Sequence, residues 1–575
     1  MKKRSVMISA IITFGFIAVI FRLADIMLLN HQWFLDKAKD QQIKKEIVPV
    51  KRGIILDRKG RELAINLDTE SIYCNPAEIV SPGRIAVALA QTINMKPDVI
   101  QARLSAGNRF SWIERKAGID ETQRIRDMKL RGIGFIPELK RFYPEGYLAS
   151  HIIGFVGADN KGLEGIEQKY DKYLSAVSEQ ISVLKDARGN VLSDGMSREI
   201  RGNNIALTID EGLQFIVEKS LNEAVAQWRA ASATVIMMDP NTGEVLAMAS
   251  RPTYDPNNAV EVPAAKRRNR AVTDCYEPGS TFKIIVGTAA LEEGIVSPGT
   301  RFDCSAGFIE VGGRKIKDAE RLGVLTFKEV IQKSSNVGTI KIGLGLGKDR
   351  IYSYIKKFGF GEKTGFDLGG EATGLIRPPG RWSGMSIGAV SIGQEVAVTP
   401  LQVLRAYSAI ANGGFLVRPH VVSEIRSPDG TVIYKYAPEP QRILSERTVT
   451  VFKNILKTVT EAGGTATGAA VDGNEVAGKT GTAQLMDPIT KKYSKDKYVS
   501  SFVGFVPADD PRIAMIVVIH EPKGAIYGGV VAGPVFKQIA NESLSYLSVP
   551  RDDSVEKRLL LVSKVAAGDR QWTKK

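Results

Sequence analysis

The chain has 575 residues, which is too long for one ordinary domain and long enough to bury a substantial core. Its formal net charge is +15, but the lysines and arginines are spread along the chain without a nucleic-acid-binding motif, so we expect no nucleic-acid partner. A basic surface close to anionic lipid or another anionic polymer accounts for the charge equally well.

The first thirty residues have the pattern of a membrane anchor. A basic segment, Met1 to Arg4, precedes an apolar run from Val6 to Phe21, and residues 23–29 extend it to the roughly twenty residues that span a bilayer. Arg22 and Asp25 lie three positions apart on one helix face, where they can pair near the outer interface. Because no small-x-small cleavage site follows, we interpret the segment as an uncleaved single-pass anchor. We expect the long remainder to lie outside the cytoplasm, in a bacterial periplasm or its equivalent.

Between the anchor and residue 205, the pattern predicts short strands and turns and no catalytic cluster. We predict strands at Val48 to Leu56 and at Arg61 to Ala64, around the turn Asp57–Gly60, and a helix at Arg84 to Ile93. The glycines and prolines between Leu139 and Glu167 indicate further short strands and turns. We interpret this region as a rigid stalk or docking module.

From residue 206 onward, the sequence pattern predicts a sheet combined with a helical lobe. Asp210 is expected to cap the N-terminus of a helix, and the pattern between Ser280 and Lys479 is mainly helical. The predicted strands are Ala233–Met238, Glu244–Ala249, Ser501–Val506 and Ile513–Ile519. We therefore predict an α+β fold in which an antiparallel sheet and a helical lobe meet at Ser280.

Three short polar motifs follow one another in this part of the chain. A Ser-x-x-Lys motif runs from Ser280 to Lys283 at the predicted start of a helix, where the serine lies beside free N–H groups and the lysine lies one turn away. A serine hydroxyl becomes a good nucleophile when a base accepts its proton, and a lysine with a depressed pKa can be that base. A Ser-x-Asn motif at Ser334–Asn336 and a Lys-Thr-Gly motif at Lys479–Gly481 come later.

This ordered trio resembles that of the penicillin-binding proteins and class A β-lactamases, with Ser335 at the position where the Ser-Asp-Asn form of the middle motif has aspartate. Three further segments resemble the pedestal of class B penicillin-binding proteins, which are membrane-anchored D,D-transpeptidases of peptidoglycan synthesis: Arg52–Gly60, Arg141–Gly146 and Gly162–Glu167. No glycosyltransferase-like segment precedes the pedestal, which argues against class A. Glu277, where elongation-type enzymes more often have proline, is typical of the division-type branch.

The resemblance implies four segments in chain order. They are a cytoplasmic tail with the transmembrane anchor and juxtamembrane segment at residues 1–45, an elongated pedestal of the dimerisation type at residues 46–205, a transpeptidase domain at residues 206–547, and a C-terminal tail at residues 548–575, which we expect to be mobile.

The resemblance also implies acyl transfer during septal cell-wall synthesis. Ser280 would attack the peptide bond between two terminal D-alanines, and an amine of a neighbouring stem peptide would convert the acyl-enzyme into a cross-link. Lys283 is expected to be the base that activates Ser280, and Lys479 the second cation that disfavours the charged form of Lys283. Ser334 can relay a proton to the leaving amine, and Asn336 can hold a substrate amide.

The third motif is expected to bind the terminal carboxylate of the donor. The substrate-binding residues are predicted to be Thr480, Gly481 and Thr482, beside the ammonium group of Lys479. The resemblance places the oxyanion hole at the backbone N–H groups of Ser280 and Thr482.

No metal or cofactor is expected, since no metal-ligand spacing or phosphate-binding loop is present. The three cysteines are an odd number without a disulfide framework, and we interpret Cys275 as a small buried apolar residue. None of the four histidines, His31, His151, His420 and His520, lies in a triad-like motif.

The expected partners are peptidoglycan stem peptides, β-lactams that would acylate Ser280, the inner membrane, a polytopic glycosyltransferase and other division proteins. Four alternatives remain open. An elongation-type transpeptidase would share every motif, and a carboxypeptidase or β-lactamase would hydrolyse the acyl-enzyme with water. A β-lactam sensor would need cytoplasmic signalling segments, for which the tail before Val6 leaves no room, and a division-complex scaffold would use its chemistry only secondarily.

Overall fold

The computed structural model describes residues 2–47, 50–175, 180–184, 201–487, 490 and 492–551. The chain forms two compact units, each assembled from separate parts of the sequence. The first comprises Met1–Arg52, Asp68–Leu139 and Ser175–Gly202, and the second comprises Gly53–Leu67, Lys140–Leu174 and Asn203–Lys575. These units do not follow the boundaries of the predicted segments, because residues 53–67, 140–174 and 203–205 of the predicted pedestal belong to the second unit. Residues 552–575 of the predicted tail lie outside the described residues.

The N-terminal helix of the first unit has the composition of a membrane anchor. It runs from Lys2 to Ala24 and continues into a π-helical turn at Asp25–Leu29, and the stretch Lys3–Leu29 is long and apolar enough to cross a membrane. Arg22 Nη1 donates to Asp25 Oδ2 at 2.6 Å, which confirms the predicted pair. The helix therefore fits a single-pass anchor.

The rest of the first unit has a small apolar core formed by helices and strands. Its helices are His31–Gln42, Pro82–Ala90, Pro97–Leu104 and Ile119–Asp127. In one strand pair, Ile43–Ile47 lies against Gln180–Leu184. The strand Glu62–Cys74 pairs with two others, Ser111–Ala117 and Ile133–Phe142. The helix predicted at Arg84 to Ile93 is confirmed as Pro82–Ala90, because Ala86 and Leu89 face the same core as Ile100.

A five-stranded antiparallel sheet forms the centre of the second unit. Its strand order is Ala477–Met486, Tyr493–Val506, Ile513–His520, Ser232–Met238 and Val245–Arg251. The four strands predicted for this part of the chain are confirmed. Successive residues of a strand point to opposite faces, so Ile236 and Met238 enter one apolar core while Val235 and Met237 enter another. Both faces of the sheet are therefore covered.

Helices cover each face of this sheet. On one face, Glu211–Trp228 packs with Gly533–Tyr546, and the Asp210 side chain caps the first of these by accepting from the N–H groups of Gly212 and Leu213, as predicted. The helical lobe on the other face consists of Lys283–Glu292, Phe327–Gln332, Asn336–Leu346, Lys348–Lys357, Ser386–Ser391, Pro400–Ala411 and Glu446–Lys457. The α+β fold with an antiparallel sheet and a helical lobe is confirmed.

Smaller elements connect these layers. The short helices are Ser150–Ile153, Gly165–Lys169, Asp171–Leu174, Ala264–Arg267, Arg270–Thr273 and Gly528–Val531. The short strands are Ile55–Leu56, Asn204–Leu207, Arg301–Asp303, Phe308–Val311, Arg314–Lys317, Val324–Thr326, Phe415–Leu416, Val422–Arg426, Val432–Lys435 and Gln441–Arg442.

Two predictions about the region before the catalytic part were wrong in detail. The strand predicted at Val48 to Leu56 forms only at Ile55–Leu56, because the N–H of Ile54 donates to the Asn204 side chain instead of a strand partner; residues 48 and 49 lie outside the described residues. The stretch from Leu139 to Glu167 contains one-turn helices where we predicted short strands and turns. A helix of four or five residues is too short to show a helical period in the sequence.

Two of the pedestal-like segments are joined inside the second unit by a buried ion pair. Arg141 Nε donates to Glu167 Oε1 at 2.6 Å, and both side chains are excluded from solvent. A buried ion pair costs free energy when one partner is removed, which fixes these two segments against each other.

Candidate active site

Ser280 lies at the start of a helix, as predicted. It occupies a single 3₁₀ turn, Gly279–Phe282, which leads directly into the helix Lys283–Glu292. Gly279 has a φ of +54°, a conformation that favours glycine, and its N–H donates to the carbonyl of Gly393 at 3.1 Å. We call Gly279–Phe282 the serine turn.

The serine turn is fixed by buried hydrogen bonds on both sides of the nucleophile. The hydroxyl of Thr281 donates to the carbonyl of Pro278 at 2.8 Å, and the hydroxyl of the buried Tyr407 donates to the carbonyl of Thr281 at 2.9 Å. Ser280 itself is half-buried.

Lys283 joins the first motif to the second. Its ammonium nitrogen lies 2.6 Å from the carbonyl oxygen of Ser334, 3.2 Å from the Ser334 hydroxyl and 2.8 Å from Oδ1 of Asn336. Ser334 has a φ of +58°, which is strained for a residue other than glycine. Residues held in such conformations cluster at functional sites, and here the conformation accompanies the contact of both its carbonyl and its hydroxyl with one nitrogen.

Both lysines of the site are fully buried, and burial disfavours their charged forms. Burial lowers the pKa of Lys283 to about 7, against the opposing effect of the Asp318 carboxylate. Burial, followed by the positive charge of Lys283, lowers the pKa of Lys479 well below its usual range. Desolvation accounts for the lowered pKa of Lys283, for which we predicted an effect of Lys479, and the charge of Lys283 in turn contributes to the lowered pKa of Lys479.

The third motif lies on the edge strand Ala477–Met486, and its hydroxyls have different surroundings. Lys479 Nζ donates to the Thr480 hydroxyl at 3.3 Å, and that hydroxyl lies 2.9 Å from the hydroxyl of Thr465. Thr482 Oγ1 accepts the N–H of Gly528 at 3.1 Å, so its own hydrogen remains available to a ligand. Thr465 is not among the predicted site residues, because it lies in a loop whose sequence contains no motif.

Gly481 allows the edge strand to approach the serine turn. A Cβ at this position would lie 3.0 Å from the carbonyl oxygen of Pro278 and closer still to the Ser501 hydroxyl. On the other side, a Cβ on Gly279 would lie 3.2 Å from the carbonyl oxygen of Thr482. The backbone at Thr482 and the serine turn are therefore neighbours, as an oxyanion hole shared between them requires.

Asp318 contacts the second motif and belongs to none of the three predicted motifs. Its carboxylate accepts the Ser335 hydroxyl at 2.8 Å, the N–H of Val337 at 3.1 Å and the N–H of Asn336, and thus caps the helix that carries Asn336. Ser335 is turned away from Lys283 into this cap. A single aspartate at no fixed spacing from the motif carries no signal in the sequence, because only the fold brings the two together.

Replacing Asp318 with asparagine is expected to change the pH dependence of acylation. Because the carboxylate raises the pKa of Lys283, its loss should move the midpoint of the pH–rate profile below that of the unsubstituted protein. Loss of the charged cap should also lower the free energy of unfolding by about 1 kcal/mol. Stopped-flow acylation with a chromogenic β-lactam and thermal melting measure the two effects. The exposed Glu320→Gln is the control, and an equal shift in that variant would contradict the assignment.

Cys275 is exposed, so its interpretation as a buried residue was wrong. It lies in an extended segment in which the side chain of the next residue, Tyr276, is buried, and alternate side chains of such a segment point to opposite sides. Cys74 and Cys304 are buried, and all three thiols are free. Burial lowers the pKa of His151, His420 and His520 to about 4, so these histidines are neutral at pH 7.

Two known protein families match successive parts of the chain. Residues 233–541 match the penicillin binding protein transpeptidase domain, and residues 47–207 match the penicillin-binding protein dimerisation domain. Two similar solved structures are penicillin binding protein 3 from Mycobacterium tuberculosis in complex with aztreonam and a peptidoglycan synthetase from Bifidobacterium adolescentis. The first has a TM-score of 0.69 and 28% identity and covers 88% of this chain and 98% of that one. The second has a TM-score of 0.70 and 26% identity, and the match covers 89% of this chain and 98% of that one.

Characterised relatives extend over nearly the whole chain. The peptidoglycan D,D-transpeptidase FtsI of Escherichia coli (strain K12) is 35% identical over 540 residues, which are 92% of this chain and 90% of the relative. The stage V sporulation protein D of Bacillus subtilis (strain 168) is 35% identical over 556 residues, 94% of this chain and 86% of the relative. The chain belongs to the penicillin-binding proteins, as a class B member of the division type.

Proposed function

We propose that this protein is a serine-type D,D-transpeptidase that cross-links peptidoglycan stem peptides during septal wall synthesis and that β-lactams acylate its Ser280. The observation that carries the proposal is the convergence of three distant motifs. Lys283 contacts Ser334 and Asn336 directly, and the strand of Lys479 approaches the serine turn at a glycine where any side chain would collide. The relatives named above, one of them a D,D-transpeptidase, support the same activity.

The hydrogen bonds of Lys283 are consistent with its role as base. A neutral amine has two hydrogens and one lone pair. The Ser334 carbonyl and Asn336 Oδ1 are acceptors only, so they take the two hydrogens and leave the lone pair for a hydroxyl. That lone pair can accept the proton of Ser280 as its oxygen attacks the carbonyl carbon of the donor. Because Lys283 has a pKa of about 7, a large fraction of the protein carries the neutral form near neutral pH.

The remaining groups receive roles from their positions. Negative charge on the carbonyl oxygen of the tetrahedral intermediate would be stabilised by the N–H groups of Ser280 and Thr482. The Ser334 hydroxyl, 3.2 Å from Lys283 Nζ, would pass the proton to the leaving D-alanine amine. Asn336 Nδ2 donates one hydrogen to the carbonyl of Lys317 and has a second for a substrate amide.

The terminal carboxylate of the donor would bind along the edge strand. The free hydroxyl hydrogen of Thr482 points to this role, and Lys479 supplies positive charge when it is protonated. Thr480 Oγ1 accepts from Lys479 Nζ, so its own hydrogen goes either to Thr465 or to the carboxylate.

An acceptor assay tests the proposed reaction. Full-length protein in detergent would be incubated with a donor peptide ending in D-Ala-D-Ala and with an amine acceptor, and the products would be identified by mass spectrometry. We expect a cross-linked product that disappears after treatment with penicillin. Release of D-alanine with only hydrolysed donor would instead identify a carboxypeptidase, and penicillin binding without turnover would favour a scaffold.

The location follows from the N-terminal helix. We infer that residues before it remain in the cytoplasm, that the helix crosses the inner membrane, and that the catalytic part works in the periplasm, where its polymeric substrate lies. A polytopic glycosyltransferase and other division proteins are the expected partners in the membrane. Protease added to spheroplasts should degrade the catalytic part, and its protection until lysis would contradict this orientation.

A further inference from the structure

A two-stranded hairpin lies directly beside the catalytic Asn336. It pairs Phe308–Val311 with Arg314–Lys317, and Asn336 Nδ2 donates to the carbonyl of Lys317, the last residue of the hairpin, at 2.9 Å. The next residue, Asp318, caps the helix of Asn336. The Lys317 end of this hairpin therefore lies beside the candidate active site.

The hairpin is held rigidly on its inner face. Ile309 and Ile316 are directly opposite each other, and they pack with Val311 against Ile340 and Ile392 of the helical lobe. At the hairpin turn, a Cβ on Gly312 would collide with the backbone of Gly384, so the turn also touches the segment that follows Arg381. The hairpin and this segment form one fixed platform.

Exposed cations without ion-pair partners lie on the hairpin and in the chain segments next to it. Within the described residues, no carboxylate forms an ion pair with any of the five exposed side chains that we call the basic rim: Arg314, Lys317, Arg321, Arg377 and Arg381. Lys315, by contrast, lies over the ring of Phe308 at 4.6 Å and opposite Glu310. The carboxylate of Asp318, the residue after Lys317, is already used by the helix cap. Glu320 is the one other acidic residue within three positions of the rim's Lys317 and Arg321 in the sequence.

Like charges without ion-pair partners repel one another, so these cations do not stabilise the fold through ion pairs. They do create a positive potential beside the acyl-enzyme, which raises the local concentration of an anionic ligand. The donor carboxylate already has its own group at Lys479, on the edge strand. The second substrate of the reaction, the acceptor, has no binding group among the residues assigned so far.

We propose that the basic rim binds the acceptor, an uncross-linked peptidoglycan strand whose stem peptides carry free carboxylates, and holds its amine near Ser280. The inference rests on the proposed transpeptidase function and adds the substrate-binding surface of its second step. A strand with repeated carboxylates matches several separated cations better than a single small anion does, because each additional contact forms at a high effective concentration.

Binding of isolated strands tests the rim without requiring turnover. Full-length protein in detergent is first acylated with penicillin, which fills the donor site, and then sedimented with uncross-linked peptidoglycan strands. The variant Arg314→Gln/Arg321→Gln/Arg381→Gln removes three rim cations. The control Lys348→Gln/Lys363→Gln/Arg447→Gln removes three exposed cations, also without ion pairs among the described residues, elsewhere on the same unit. Thermal melting shows whether each variant is folded.

We expect the rim variant to bind strands about tenfold more weakly at low ionic strength, with the difference shrinking as salt is added, and the control to bind normally. Strands whose carboxylates have been amidated should bind weakly to every form. Equal binding by rim variant and unsubstituted protein, an equal loss in the control, or tight binding of amidated strands would each overturn the proposal. The proposal would also be overturned if the rim variant lost binding only to vesicles of anionic phospholipid, because the rim would then be a membrane-binding surface. Failure of the cross-linking assay with normal strand binding would instead count against the proposed reaction.

Discussion

Replacing Ser280 with alanine should abolish covalent labelling by a fluorescent penicillin and lower transpeptidation by at least about 10⁴-fold. The site contains no second hydroxyl in an equivalent position. Ser334 contacts Lys283 but lies in a strained backbone conformation on a different segment, and Ser335 is turned into the cap formed by Asp318. The fold should be unaffected, because the Ser280 hydroxyl makes no hydrogen bond within the part of the chain that the structure describes.

Labelling of membranes followed by gel fluorescence measures the covalent labelling, the acceptor assay described above measures transpeptidation, and thermal melting of purified protein tests whether the fold is unaffected. Ser297→Ala, on an exposed turn, is the matched control and should label normally. A Ser280→Ala protein that still forms a stable penicilloyl adduct would refute the assignment of the nucleophile. A protein that loses labelling together with its melting transition would show that the substitution acts on folding.

The strands of the catalytic sheet could be predicted because their sequence pattern is local. Ser232–Met238 and Ile513–His520 are buried on both faces, so each, apart from its terminal Ser232 or His520, is a continuous run of apolar and β-branched residues. The one-turn helix Ser150–Ile153 is equally buried, but four residues carry no period that distinguishes helix from strand. Tertiary contacts decide its conformation, and a single sequence does not show them.

The same distinction separates the parts of the site. Ser280, Lys283 and Lys479 could be identified because short motifs keep them in a fixed order and spacing. Asp318 and Thr465 contact those motifs from loops that have no spacing of their own. The lowered pKa of Lys283 could be predicted, but its cause could not. Burial lowers this pKa, and the burial of a helix start depends on the neighbouring lobe, which a single sequence does not show.

Replacing Lys283 with methionine should lower the rate of acylation by about 10³-fold, because the variant keeps an unbranched side chain of similar length but has no base for the serine proton. The remaining rate should no longer depend on pH near neutrality. The second-order rate constant with a chromogenic β-lactam, measured by stopped flow, gives both results. Lys348→Met, at an exposed position, is the control for the loss of one lysine charge and should react normally.

The unsubstituted protein should show the complementary pH profile. Its Lys283 has a pKa of about 7, lowered from 10.5 by burial, and only the neutral amine can accept the serine proton. The rate should therefore be low at pH 5.5, reach half its plateau near pH 7 and rise no further above about pH 8.5, where nearly every amine is neutral. An ordinary exposed lysine would place this midpoint near pH 10. A midpoint above pH 9, or a profile that Lys283→Met leaves unchanged, would show that another group activates Ser280.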